Sequence, residues 1–561
     1  MLWETLSAAR DLGRLHEIAS VLIRWGFGDT VRRLGMSHAL ERAGRALHFK
    51  ESVTLSDIEP PERVVKALEE LGPTFIKLGQ LLSTRVDLFS DEWITAFETL
   101  QDQVKPLPIE ELQEEIEAVF GADPNLVLER LDSEAFAAAS IAQVHRARLK
   151  TGEEVVVKFR RPQIEKQVEG DLRLLNRLAE IAEHNITELK RFQPVEIVKQ
   201  FAQSLRRELN LEEEGRNAER IAKSFVDDPN VVIPRIYWDW TCEQVNVQEF
   251  IRGTHGRKLL LQTDGAFDRR ELARRGGKAI LKMVLVDGFF HADPHLGNLI
   301  ALPGNRVAFI DFGMVGRLTS LRKDQVTDLL FALVKKNPPA VVQVLRMWVE
   351  ERRPIADEVA LLNEVDAFLD HYHGMTVGDL DMSSMIKDLI AILRNHALIL
   401  PADLALLFKT FLTLDGVGRR LDPQFNIVLE ATPFLTSIIQ ERYSPTNLAK
   451  RAIENTRDSL IVLNELPKEV QNLVRSAQRG DLQVKMELNR LDRFGHLLDR
   501  AVSRLTIGIV VAALIIGTAV VTATQQQPEL FGIPAWGFLG FLIAALGGVW
   551  LLISIWRGNR D

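Results

Sequence analysis

Apolar residues recur every three or four positions along 62–71, 74–86 and 91–103, with Pro60-Pro61, Gly72-Pro73 and Pro106-Leu107-Pro108 punctuating the runs. The spacing gives each run one apolar stripe and predicts three amphipathic helices, so 1–125 reads as a helical N-terminal extension. Beyond it the period shortens. Runs 144–149, 154–159, 231–239 and 244–250 are β-prone, and the first two flank a hairpin turn at Thr151-Gly152. Runs 172–183 and 194–223 return to helical spacing, and from Glu271 to about Asn472 helices dominate apart from a short β region near Asp311. A small sheet followed by a mostly helical body is an α+β pattern with two lobes, 126–255 and 256–475.

The C-terminal part follows another rule. Runs 505–524 and 530–556 hold no charged side chain, and each reaches the roughly 20 residues that span a hydrocarbon core of about 30 Å. They are expected to form a transmembrane helical hairpin. Arg504, Arg557 and Arg560 flank the spans while the connection holds only Glu529, which puts both ends and the preceding body on the cytoplasmic side. Trp536, Trp550 and Trp556 suit interfacial anchors. Between body and spans, 476–504 is a basic amphipathic linker helix. Its Lys485, Arg490, Arg493 and Arg500 suit anionic headgroups, although packing on the soluble body explains the pattern equally. The expected location is the cytoplasmic (inner) membrane, multi-pass.

Composition narrows the classes. A chain of 561 residues is long enough for roughly two to four domains. With 69 Lys and Arg against 77 Asp and Glu the net charge is −8, which argues against a nucleic-acid partner. Apolar residues at 46% and charged residues at 26% exclude a disordered chain. Cys242 is the sole cysteine, so there is no intramolecular disulfide and no cysteine-cluster metal site. Its usage suits a reducing compartment, and the N-terminus does not read as a secretory signal.

The chemistry concentrates in His291-Ala292-Asp293-Pro294-His295-Leu296-Gly297-Asn298 and, thirteen residues after Asn298, Asp311-Phe312-Gly313. Phosphoryl transfer from ATP needs oxygen ligands for Mg²⁺, here Asn298 and Asp311, and a carboxylate, Asp293, that orients or deprotonates the attacking group. Upstream, Lys158 ends the run Val155-Val156-Val157 and matches the strand lysine that holds ATP phosphates. Its acidic partner comes from Glu208, Glu212, Glu213 or Glu214, a choice the sequence leaves open. The segment 245–251, with Glu249 and Phe250 at its centre, resembles the strand and hinge whose backbone groups meet the adenine in kinases.

Two features depart from protein kinases. Where a glycine-rich loop belongs, the chain reads Ala135-Phe136-Ala137-Ala138-Ala139-Ser140-Ile141. An alanine run alone would read as a helix, but its place before the hairpin points to a modified nucleotide loop, one that avoids positive φ. The catalytic loop also lacks the usual arginine, and no Ala-Pro-Glu signal follows Gly313. A platform for a protein substrate is therefore not expected.

Together with Lys77-Leu78-Gly79-Gln80 and the loop ending Ser140-Ile141-Ala142-Gln143-Val144-His145, these motifs resemble the UbiB family of atypical kinase-like proteins, also called ADCK, over roughly 70–320. The resemblance implies an atypical two-lobed protein-kinase-like fold in which Lys77 and Gln80 belong to an extension occluding the active site. Ala137, Ala138 and Ala139 would alter nucleotide selectivity, with Ser140 beside them. Lys158, Asn298 and Asp311 would bind Mg-ATP, Asp293 would take the catalytic-base position, and Glu208 would keep a regulatory place. The family's Glu-x-Asp signature stands here as Glu208-Leu209-Asn210, an amide replacing the acid.

The implied function is ATPase activity supporting isoprenoid quinone (ubiquinone-type) biosynthesis or membrane lipid handling. The implied partners are anionic membrane lipid, quinone-precursor lipids and other quinone-biosynthesis enzymes. Two further classes stand beside it. One is a small-molecule or lipid phosphotransferase, since the His-Ala-Asp-Pro-His loop also resembles that of aminoglycoside and choline kinases. The other is a nucleotide-binding scaffold with negligible turnover.

Overall fold

The computed structural model describes residues 9–34, 58–100, 104–261, 265–348, 357–372 and 380–442, with short stretches between 509 and 546. The chain divides into two units, Met1–Leu448 and Ala449–Asp561. In the first unit an antiparallel sheet runs in the order β1 (Leu128–Leu131), β3 (Ala142–Leu149), β4 (Glu154–Arg160), β6 (Val245–Glu249), and β2 (Ala137–Ala138) pairs with β3. Alternation along β4 buries Val155, Val157 and Phe159 completely, packed with Val245, Val247, Leu112 and Phe120. That leaves Val156 and Lys158 on the opposite face. β4 holds its register with β6 by placing Lys158 opposite Asn246.

The extension folds as Pro60–Leu71, α1 (Pro73–Leu82) and Asp91–Glu98. The apolar stripes of these three helices do not pack on the sheet, unlike Leu112 and Phe120 later in the extension. Phe75, Ile76 and Phe97 share one core with Val168 and Leu172 of α2 (Ile164–Asn185) and Phe201 and Leu205 of α3 (Pro194–Glu208). Gly79 makes this packing possible: a Cβ there would overlap the side chains of Leu100 and Leu68.

The expected single helix over 194–223 is two helices, α3 and α4 (Leu211–Ser224), because Asn210 adopts extended φ/ψ and caps α4. Its Oδ1 accepts from the N–H groups of Glu212 and Glu213 at 3.0 and 3.3 Å. The expected strand over 231–239 is likewise shorter. Only β5 (Val231–Val232) is strand; beyond Pro234 a single bridge joins Ile236 to Gln248 of β6, and Trp238–Trp240 form a 3-10 turn.

In the second lobe, β7 (Thr254–His255), β9 (Leu299–Leu302), β10 (Arg306–Phe309) and β5 make a four-stranded sheet, and β8 (Phe289–His291) pairs with β11 (Val315–Arg317). Helices surround them, among them α5 (Arg269–Leu281), α6 (Met382–Asn395) and α7 (Ala402–Leu421), with fully buried Phe290, Phe312 and Leu404 in the core. The buried pair Arg85 and Asp87 joins the extension to this lobe. Asp87 accepts from Arg85 at 2.7 and 2.9 Å and from the Leu400 N–H at 3.0 Å.

The linker helix expected over 476–504 lies outside the described residues, as does most of both expected membrane spans. Among the described residues no helix is long and apolar enough to cross a membrane. One expectation needs correction. Leu530 pairs with Ile533 and Glu529 with Pro534 as antiparallel strands, so at Leu530, Ile533 and Pro534 the span expected over 530–556 is strand and not helix.

Candidate active site

Lys158 points from the face of β4 opposite Val155 and Val157 to α4 and is nearly buried. It forms an ion pair with Glu214 and lies 3.6 Å from Asp311. Glu214 is thus the partner the sequence left open; Glu208 and Glu212 bond elsewhere. Burial opposes charge on the lysine, but Asp311 and Glu214 outweigh it and raise its pKa. Burial raises the Glu214 carboxyl, with Lys158 pulling against it. Lys158 holds Asp311 down at about 2, against burial and with help from Lys77. Asp311 is therefore ionised at neutral pH, and its side chain is 55% exposed to the cleft.

The turn after β10 sets Asp311 in place at φ +65°, a left-handed conformation that Asp tolerates better than most residues. Asn217 of α4 donates to the Phe312 carbonyl at 3.1 Å, tying the helix of Glu214 to this turn. The same strand end fixes the catalytic loop, since Ile310 N–H donates to the Asn298 carbonyl at 2.9 Å. The Asn298 amide nitrogen donates to the Asp293 carbonyl at 3.2 Å, leaving its Oδ1 as the atom available to a cation. His291 is fully buried against Phe309 and Phe312, and its Nδ1 accepts from the Asp293 N–H at 3.3 Å. Burial lowers its pKa, although Asp311 and Asp293 oppose that. A neutral ring that accepts this bond orients the loop.

The alanine loop is a hairpin arm and not a helix: Ala137 and Ala138 pair with Val144 and Gln143, and no alanine of the loop has positive φ. Arg161 clamps it, donating to the Ala139 carbonyl at 2.9 Å and to the Lys105 carbonyl at 2.8 Å. Buried Gln143 exchanges two bonds with Leu107, at 2.9 and 3.1 Å. The loop is thereby tied to the chain leaving the extension. Ala137 is exposed and Ala139 lines the cleft, whereas Ser140 is fully buried beneath them.

The remaining expected residues divide between cleft and sheet edge. Lys77 forms an ion pair with Glu208, and both line a cavity of about 1100 Å³ together with Asp293, Asn298 and Asp311. Gln80 lines it too and donates to the Leu100 carbonyl at 3.4 Å. Glu249 and Phe250 end β6, where their N–H groups donate to the carbonyls of Arg235 and Glu154, and the Phe250 ring lies under the Arg146 guanidinium at 4.3 Å. Asn217 and Arg161 are not among the residues expected from sequence, and Gln143 is there only as part of the loop signature. Only Gln143 carried a signal, as a polar residue at an inward position of a strand.

The family model described as the ABC1 atypical kinase-like domain matches residues 99–345, that of the UbiB helical domain 365–426, and that of the ABC1/UbiB kinase-like C-terminal domain 489–557. A probable protein kinase UbiB of Pseudomonas paraeruginosa is 32% identical, covering 96% of this chain and 98% of that protein. An uncharacterised Clostridium pasteurianum protein from a hydrogenase 1 5' region is 30% identical over 97% of this chain and 99% of its own. The chloroplastic Activity of bc1 complex kinase 7 of Arabidopsis thaliana is 32% identical over 76% of this chain and 62% of its own. With its strand lysine, Asp293–Asn298 loop and Asp311 assembled in one cleft, and with relatives aligned from end to end, the chain belongs to the UbiB/ADCK family of atypical kinase-like proteins.

Proposed function

We propose that this kinase-type protein is an ATPase, held at the membrane and supporting ubiquinone-type quinone biosynthesis. The observation that carries the reading is the Lys158–Glu214 pair with Asp311 3.6 Å from the lysine. The donor set fits Mg-ATP. Asp311 is ionised and open to the cleft, Asn298 Oδ1 is a neutral oxygen ligand, and Lys158 offers a charged donor to phosphate oxygens. Mg²⁺ bound there would offset phosphoryl charge. Asp293 orients the attacking water or hydroxyl and takes its proton. Ala137, Ala138 and Ala139 cover the phosphates, and the β6 end at Glu249 and Phe250 borders the adenine. The Lys77–Glu208 pair closes the side on which a peptide would lie.

The quinone role rests on the relatives, two of whose names carry UbiB and bc1 complex kinase. The membrane reading rests on the two uncharged runs, within which Ile509, Val510, Ile516, Leu542 and Leu546 are exposed apolar side chains. A second reading, phosphoryl transfer to a small molecule or lipid, is favoured by the cavity that opens beside Asp293. Labelled γ-phosphate decides between them. Full-length protein in nanodiscs should release labelled inorganic phosphate and leave no labelled lipid or phenol, whereas a stoichiometric labelled product would establish transfer.

A further inference from the structure

The cavity that reaches Asp293 extends away from the nucleotide groups towards one face of α7. Lys409, Leu412, Thr413, Gly416, Val417 and Arg420 all line it, a spacing of i, i+3, i+4, i+7, i+8 and i+11 that marks a single helix face. The opposite face is buried through Leu404, Leu407, Leu414 and Gly418.

Charge and shape on the cavity face are unusual. Lys387 of α6 joins Lys409 and Arg420 there, and neither Lys387 nor Arg420 has an ion pair or hydrogen bond among the described residues. The adjacent Arg419, by contrast, is fully engaged with Asp415 and Asp381 at 2.8 and 2.7 Å. Asp91 and Glu98 also line the cavity, and neither forms an ion pair with these cations among the described residues. Burial pushes the Glu98 carboxyl up, Lys409 and Lys387 pull against it and Asp293 adds to it, so the two lysines and Asp293 each act on this one cavity carboxylate. Apolar Ile94, Phe97, Ile390 and Val417 complete the wall.

Gly416 sits in the middle of this face, although glycine inside a helix is less favourable than alanine. Packing does not ask for it, because a Cβ there would meet no atom within 4 Å. The glycine lowers the floor of the cavity between Thr413 and Arg420.

We infer that this face of α7 is a binding site for a molecule with an anionic group and an apolar body, seated with its anion on Lys387, Lys409 and Arg420 and reaching towards Asp293. This deepens the proposed function and rests on Asp293 marking the reacting end. A phosphate or carboxylate matches the three cations, and the apolar wall takes the body. A membrane lipid and a soluble amphiphile share this chemistry.

The test uses full-length protein in phosphatidylcholine nanodiscs, with hexyl phosphate, hexanol and inorganic phosphate as calorimetric probes. Hexyl phosphate should bind at least tenfold tighter than either of the others. Affinity should fall about tenfold in the Lys387→Gln/Arg420→Gln double variant and again in Gly416→Leu, while Mg-ATP binding stays unchanged. Gly416→Leu fills open space and raises helix propensity, so it guards against a folding artefact. Replacing part of the nanodisc lipid with phosphatidylglycerol should weaken apparent hexyl phosphate binding if the headgroup is the source, and leave it unchanged if the ligand is soluble; both support the site. Equal binding of hexanol and hexyl phosphate, or variants that bind hexyl phosphate like the parent, would overturn it. Variant-sensitive binding without any ATP turnover would retain the site and refute the ATPase reading.

Discussion

Lys77 and Glu208, 131 residues apart, form an ion pair on the wall of the cleft that holds Asp293 and Asp311. The pair joins the extension helix α1 to the end of α3, two segments packed in one core, and the proposed function makes it a barrier beside the nucleotide groups. Lys77→Gln removes the charge and keeps much of the length. The association rate of a fluorescent ATP analogue, read by stopped flow, should rise several-fold. An unchanged rate would show that the pair does not gate entry.

Glu214 fixes the position of Lys158. Glu214→Gln leaves Lys158 with Asp311 as its remaining carboxylate neighbour, drawn away from the place where phosphates would lie. Mg-ATP affinity should drop about tenfold, equivalent to about 1.4 kcal/mol, while the equivalent change at Glu212 leaves it unaltered. Equilibrium titration separates the two.

Asp311 has its pKa held down at about 2, first by Lys158. A carboxyl depressed on folding contributes stability above its unfolded pKa of about 3.9 and loses that contribution as pH falls through the folded value. Between pH 5 and 9 nucleotide binding should therefore show no limb from Asp311. Below pH 4 the thermal midpoint should fall, and the fall should be shallower in Asp311→Asn. Parallel melting curves of the two proteins from pH 5 to pH 2.5 would refute the assignment.

Arg85 and Asp87 are 5% and 2% exposed and carry the junction between the extension and the helical lobe. Removing one member of a buried pair leaves the other uncompensated, at about 3–5 kcal/mol. Asp87→Ala should lose stability on that scale in chemical denaturation. Hydrogen exchange should rise first at α1 and at Leu400. Loss confined to a distant segment would contradict the junction.

Asn210 stands where the family signature carries an acid. Here its amide oxygen caps α4, the helix of Glu214, and the Lys77 contact goes to Glu208. Asn210→Asp should keep stability within about 0.5 kcal/mol because aspartate caps as well, whereas Asn210→Ala should cost about 1 kcal/mol. Urea denaturation of the three proteins measures both.

The legible parts of the site were those whose residues carry meaning by local spacing. The hairpin lysine, the interval from Asp293 to Asn298 and the strand delivering Asp311 all lie within short segments whose periodicity fixes their geometry. Contacts that depend on chain separation were not legible. The acidic run alone does not distinguish Glu214 from its neighbours Glu212 and Glu213; the choice follows once α4 is known to start at Leu211, because Leu211, Gly215 and Ala218 then share its buried face. The break between α3 and α4 was hidden because Asn210 is tolerable in a helix and becomes a cap only through its extended backbone. The role of Gly79 is also tertiary, set by Leu100 and Leu68 approaching from elsewhere in the extension.

These residues are proposed to turn over Mg-ATP. The decisive measurement is phosphate release by the full-length protein, with and without anionic liposomes and beside Asp311→Asn. Mg-dependent turnover should rise with the liposomes and disappear in the variant. Turnover equal in parent and variant, or none in the parent despite measurable nucleotide binding, would contradict it.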